Sequence, residues 1–260
     1  MEFLEILKAF PPSRGERLQS ITRYSMFEVF FYRFTLWHHE LRVSFIVEDL
    51  APVLRDVLPH CNAEKAQILA LVHDDAEMIT GDVQLGHKYQ MTRDELEKID
   101  DDEAAAIEKL SGQFPERIGG YRYKELLYHA LRKDCIEAKV VSYADKLDAY
   151  CESLHEILGG NISALRSVIG YTEILHNFDK MFPELQSLLS YKYSPLMYYQ
   201  DRTDHWKAHR ENYVFLNKPH TRESIERKTE FPFYNRWKEL VVTRMGEEGV
   251  KILIEQKERL

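Results

Sequence analysis

Little in this 260-residue chain invites an extracellular, fibrous or membrane-spanning reading. Its three cysteines, Cys61, Cys135 and Cys151, are odd in number and in no paired spacing. They exclude a disulfide framework and a thiolate zinc motif, and they favour a reducing compartment, so the expected location is the cytoplasm. Eleven glycines and nine prolines leave few breaks. No apolar run approaches the roughly 20 residues of a membrane span, and "MEFLEILKAF" is too charged for a signal peptide. There is no basic excess either. The formal net charge is −8, which argues against binding along a nucleic-acid backbone while leaving room for a local basic pocket. At 44% hydrophobic and 30% charged residues, the chain has the composition of an ordinary globular protein.

What is present is helical periodicity. Alternating strand patterns are hard to find, and the expected fold class is all-α. A short opening helix ends at "PPSRG", and further helices are expected near 17–31, 37–55 and 63–80. Asn62 is the expected N-cap of the third. Thr92 and Glu95 have capping-box spacing ahead of a helix through about 111. Two more are expected over 122–133 and 134–157, the second stopping at Gly159–Gly160. Beyond 160 tyrosine, tryptophan and proline thicken, so the boundary is placed there: a core over 1–160 and a C-terminal helical extension over 161–260. The cluster Lys207, His209, Arg210, Lys218, His220 and Arg222 in the extension suits a covering layer or subunit interface, with a substrate lid as the other reading.

Charged residues fall on apolar faces. His39 shares a stripe with Val43, Ile46 and Leu50, whereas His38 lies with Arg42 and Asp49. His73 follows Leu69 and Ala70, and Asp145 sits between Val141 and Ala149. A lone inward histidine is usually a core residue with one hydrogen bond, and a lone buried aspartate is usually a cap or salt-bridge partner. Two of each on inner faces strain that account, because buried carboxylates are normally paired or bound to metal. One divalent cation would accept two imidazole nitrogens and two carboxylate oxygens together.

The order His39, His73–Asp74, Asp145 resembles the H…HD…D signature of the HD-domain phosphohydrolases. "HDDAEMITGDV", "ADKLDAY" and "HELRVS" are similar to segments of the YfbR-like 5′-deoxynucleotidase branch, over roughly residues 20–157. The resemblance implies an HD-domain helical bundle in which His39, His73, Asp74 and Asp145 hold one divalent metal. Manganese, cobalt, iron, nickel, zinc and magnesium all suit such ligands. It further implies that Glu77 handles the proton of the attacking water or of the leaving oxygen, and that Asp82 meets a sugar hydroxyl. Arg23 and Lys88 would face the substrate phosphate. The implied activity is hydrolysis of nucleoside 5′-monophosphates, deoxy forms among them, in a homodimer. The alternatives are another small phosphate ester or nucleotide as substrate, or a slowly turning nucleotide-sensing module. Tyr24 stands where the branch has tryptophan, Gln84 where it has proline, and His38 where it has an acidic residue. These departures cluster around the sugar and phosphate rather than the metal.

Overall fold

The computed structural model describes residues 3–24, 29, 35–88, 90–158 and 161–189. Among these the chain is helical, with one two-residue-per-strand hairpin. The elements in order are α1 (Phe3–Lys8), α2 (Pro12–Ser20), α3 (Leu36–Val57), α4 (Ala63–Ala70), α5 (Glu77–Thr80), α6 (Leu85–Lys88) and α7 (Arg93–Ser111). There follow β1 (Arg117–Ile118), β2 (Tyr121–Arg122), α8 (Tyr123–Arg132), α9 (Ile136–Leu158), α10 (Leu165–His176), α11 (Phe178–Met181) and α12 (Gln186–Leu189). No helix among the described residues is long and apolar enough to cross a membrane. The basic and aromatic cluster expected to cover the core lies outside the described residues.

The chain divides into two compact units, and the break falls inside α9, between Ala144 and Asp145. The first unit is built on α3 and α4, which pack together. Val43, Ile46, Val47, Leu50, Val53 and Leu54 of α3 are buried, as are Ala66, Ile68, Leu69 and Ala70 of α4. Each large aliphatic side chain so buried contributes about 1.5–3 kcal/mol. Asn62 caps α4 by accepting from the Lys65 amide, and the Thr92–Glu95 capping box opens α7.

Three expectations are corrected. The helix foreseen over 17–31 is α2, Pro12–Ser20. "PPSRG" opens it, because Pro12 at the first helical position lacks only an N–H that would have no helical partner there. The helix foreseen over 63–80 breaks after Ala70. Residues 71–77 make i→i−3 bonds (Leu71 to Ile68, Val72 to Leu69, Asp75 to Val72, Glu77 to Asp74) before α5 begins. The hairpin was not foreseen, although Gly119–Gly120 joins its strands with two positive φ angles, 56° and 87°, the geometry that two-residue hairpin loops require. At Gly119 a Cβ would also lie 2.2 Å from Ile68 Cδ1, so the hairpin closes directly onto α4.

A buried polar network lies beside the break in α4. Arg14, Glu40, Asp75 and Tyr123 are each at most 1% exposed. Arg14 Nε donates to both Asp75 oxygens at 3.0 Å, and Arg14 Nη2 donates to Glu40 at 2.8 Å and to the Leu71 carbonyl. Tyr123 donates its hydroxyl to Asp75 at 2.7 Å, and the guanidinium lies 4.2 Å from the Phe10 ring centre. Burial opposes the Arg14 charge, but Asp75 and Glu40 more than offset it and hold its pKa above the ordinary value.

In the second unit Asn161 donates its side-chain amide to Glu156, while its backbone N–H bonds the Glu156 carbonyl at 2.7 Å. Phe178 is buried, with the Phe182 ring 5.1 Å away.

Candidate metal centre

The site begins where α4 loses its helical ladder. His39 projects from the buried face of α3 and is fully enclosed. His73 and Asp74 lie in the tight turns that follow α4. His73 Nδ1 lies 2.7 Å from the Ala70 carbonyl. A carbonyl only accepts, so Nδ1 carries the proton and the Nε2 lone pair is left for a cation. Asp74 Oδ2 stands 3.4 Å from His39 Nε2 and 3.4 Å from His73 Nε2. One ligand atom from each of the three residues falls within 4.8 Å of the others. Two imidazole nitrogens and a carboxylate oxygen at these spacings fit a single divalent ion at bond lengths of about 2 Å.

Asp145, the fourth expected ligand, lies on α9, in the part of the helix that belongs to the second unit. It is 16% exposed and accepts from Lys146 Nζ.

Arg23 is brought to the centre by the segment ahead of α3. Thr22 bridges Thr35, and the Leu36 amide bonds the Ile21 carbonyl at 3.1 Å. Arg23 is buried, with Nη1 3.8 Å from Asp74 Oδ2 and its guanidinium 5.8 Å from the Tyr24 ring centre. Tyr24 has a φ of 55°, costly for a bulky side chain, so the turn that aims Arg23 is held under strain.

Glu77 opens α5. Its Oε2 is buried with no hydrogen-bond partner among the described residues. Burial first, then the neighbouring Asp74 and Asp82 carboxylates, push its pKa well above the usual range, with Arg23 opposing. Asp82 follows Gly81, whose φ of 79° and ψ of 159° suit glycine alone. Burial raises the Asp82 pKa, against the pull of Arg23, His39 and Lys88, and Asp74 adds to the rise. Lys88, at the end of α6, is therefore within electrostatic range of Asp82.

Two features escaped the sequence reading. Glu103 on α7 faces this group: burial raises its carboxyl, Lys88 and Lys133 lower it, and Asp74 raises it further. In the run "DDDE" it looked like any residue of a solvated acidic face. Asp75, next to Asp74 in the motif, is committed to Arg14 and Tyr123.

The helical fold with this histidine–aspartate grouping defines the HD-domain class. An HD-domain phosphohydrolase of Listeria innocua superposes with a TM-score of 0.52 at 22% identity, covering 69% of this chain and 84% of its own. A Pyrococcus horikoshii protein superposes with a TM-score of 0.54 at 23% identity, covering 72% and 96%. Within that class the chain belongs to the 5′-deoxynucleotidase YfbR-like family, whose model matches residues 15–203, well past the residue near 157 where the resemblance was expected to end. A 5′-deoxynucleotidase of Pectobacterium atrosepticum is 33% identical over 161 residues, 61% of this chain and 71% of that protein. One from Vibrio vulnificus is 33% identical over 126 residues, 47% of this chain. The match spans 62% of the length of this Vibrio relative and of a second one.

Proposed function

We propose that this protein is a metal-dependent phosphohydrolase that removes the 5′-phosphate from nucleoside monophosphates, deoxynucleotides included. The observation that carries the reading is the approach of His39, His73 and Asp74, with the cation Arg23 beside them and a buried carboxyl, Glu77, one short turn away. In this reading His39, His73 and Asp74 hold one divalent metal and Asp145 supplies the fourth ligand. When bound, the ion neutralises phosphoryl charge and acidifies water.

The protein's own groups do the rest. Arg23 binds the substrate phosphate, where a guanidinium fork matches oxygen spacing and charge, and Lys88 adds positive potential at the same end. Burial, then Asp74 and Asp82, raise the Glu77 pKa, a shift in the direction that favours donation to the 5′-oxygen as the ester bond breaks. Asp82 accepts a hydrogen bond from a sugar hydroxyl. A homodimer is expected from the family resemblance, and three cysteines in no paired spacing suit a cytoplasmic setting.

Phosphate release from a panel of ribo- and deoxyribonucleoside 5′-monophosphates, with each divalent metal in turn, tests the reading. Arg23→Ala is expected to weaken nucleotide binding at least tenfold while leaving nucleoside binding unchanged. No phosphate release from any 5′-monophosphate would sink the proposal.

A further inference from the structure

A second grouping of metal-binding atoms, sharing no residue with the histidine–aspartate centre, lies at the corner between α8 and α9. His129 is in the last turn of α8. Lys133, the C-cap, has φ 52° and ψ 38°, and its amide bonds the His129 carbonyl at 2.8 Å. That left-handed step folds the chain back, so that Asp134 Oδ1 reaches His129 Nδ1 at 2.5 Å. Cys135 comes next and occupies the N-cap position of α9: its carbonyl accepts the Lys139 amide, the first bond of the helix. One ligand atom each from His129, Asp134 and Cys135 lies within 4.8 Å of the others.

We propose that His129, Asp134 and Cys135 form a second site, for a zinc-class transition-metal ion. Nitrogen, oxygen and sulfur donors together select borderline-soft ions over magnesium or calcium, and bonds of about 2.0–2.3 Å would fit such spacings. The ion takes the place of the hydrogen between His129 Nδ1 and Asp134, the imidazole then carrying its proton on Nε2, and the Cys135 thiol proton passes to solvent. Burial, the largest influence, raises the thiol pKa and Glu137 adds to the rise, while the Ala138 amide at the start of α9 and the Lys65 ammonium oppose it. Lys65 Nζ is 3.9 Å from Cys135 Sγ and 3.4 Å from Glu137 Oε2, so its charge is balanced by a carboxylate. His129 and Asp134 are 30% and 44% exposed, which leaves the site open to solvent and its remaining coordination positions to water. Bound metal would clamp the end of α8 to the beginning of α9.

Cobalt(II) separates this site from the first. The first grouping offers only nitrogen and oxygen ligands, so a sulfur-to-cobalt charge-transfer band reports the second alone. Metal-free full-length protein titrated with cobalt(II) is expected to bind two equivalents, one of them giving that band. Cys135→Ser should abolish the band, keep the other equivalent and leave phosphate release unchanged. His129→Gln should weaken the band-forming affinity at least tenfold, and Cys61→Ser should leave it intact. Absence of a sulfur band in the parent, its survival in Cys135→Ser, or its loss in Cys61→Ser would each overturn the site.

Discussion

Replacing Asp75 with alanine should unfold the first unit far more readily than replacing its neighbour Asp74, although both are aspartates of one motif. Asp75 accepts from Arg14 Nε at 3.0 Å and from Tyr123 at 2.7 Å, and one of its oxygens is 2.8 Å from Arg14 Nη2. Its removal leaves a fully buried guanidinium with one carboxylate instead of two, and a buried tyrosine hydroxyl without its acceptor. Breaking a buried ion pair costs about 3–5 kcal/mol. An orphaned hydroxyl adds about 1–3 kcal/mol, but the two losses share one network and will not sum in full. The expected cost is therefore about 3–5 kcal/mol, a large share of a typical domain stability of about 5–15 kcal/mol. Asp74 is 21% exposed and lies outside that network, so Asp74→Ala should change stability by no more than about 1 kcal/mol while losing most of the bound metal. The assay is guanidinium unfolding with chelator present, so that metal binding does not add to the apparent stability, followed by metal analysis of each variant. Tyr123→Phe, which deletes only the hydroxyl, should fall between, at about 1.5–3 kcal/mol. An unfolding midpoint for Asp75→Ala equal to the parent's would refute the reasoning. So would full metal content in Asp74→Ala.

Glu77→Gln should keep fold, metal and nucleotide affinity but lower turnover by roughly a hundredfold or more; near-normal turnover would move proton transfer to another group, Asp82 first. Gly119→Ala should destabilise by about 1–3 kcal/mol, because its Cβ would meet Ile68 at 2.2 Å. Gly120→Ala, with nothing within 4 Å but a φ of 87°, should cost only about 1–2 kcal/mol, and thermal melts that reverse this order would contradict the hairpin's seating on α4. Hydrogen bonds from the Thr92 backbone and hydroxyl hold the exposed Glu95 carboxyl below the usual value. Because the folded pKa is the lower one, its contribution is present above about pH 4.5 and lost as pH falls through the folded value. Thr92→Ala should raise the Glu95 titration midpoint seen by NMR, and an unchanged midpoint would count against the capping box.

Local pattern alone determined much of this protein. The 3.6-residue spacing of apolar positions placed α3, α8 and α9 to within about two residues at most ends, and side-chain caps at Asn62 and Thr92 named two helix starts. Such features depend on neighbours along the chain, so they are written in it. Inward-facing His39, and the adjacent pair His73–Asp74, were legible for the same reason. What tertiary structure decided is how those residues meet. The break of α4 into i→i−3 turns, with the Ala70 carbonyl taking the His73 ring, sets the ligand atoms 3.4 Å apart, and no periodicity announces it. The roles of Asp74 and Asp75 were indistinguishable as letters; they part because Arg14, 61 residues away in sequence, is folded against one of them. Glu103 is in the same position: its partners lie across the fold, and a lone carboxylate in an acidic run has no distinguishing signal until burial and neighbouring charge act on it.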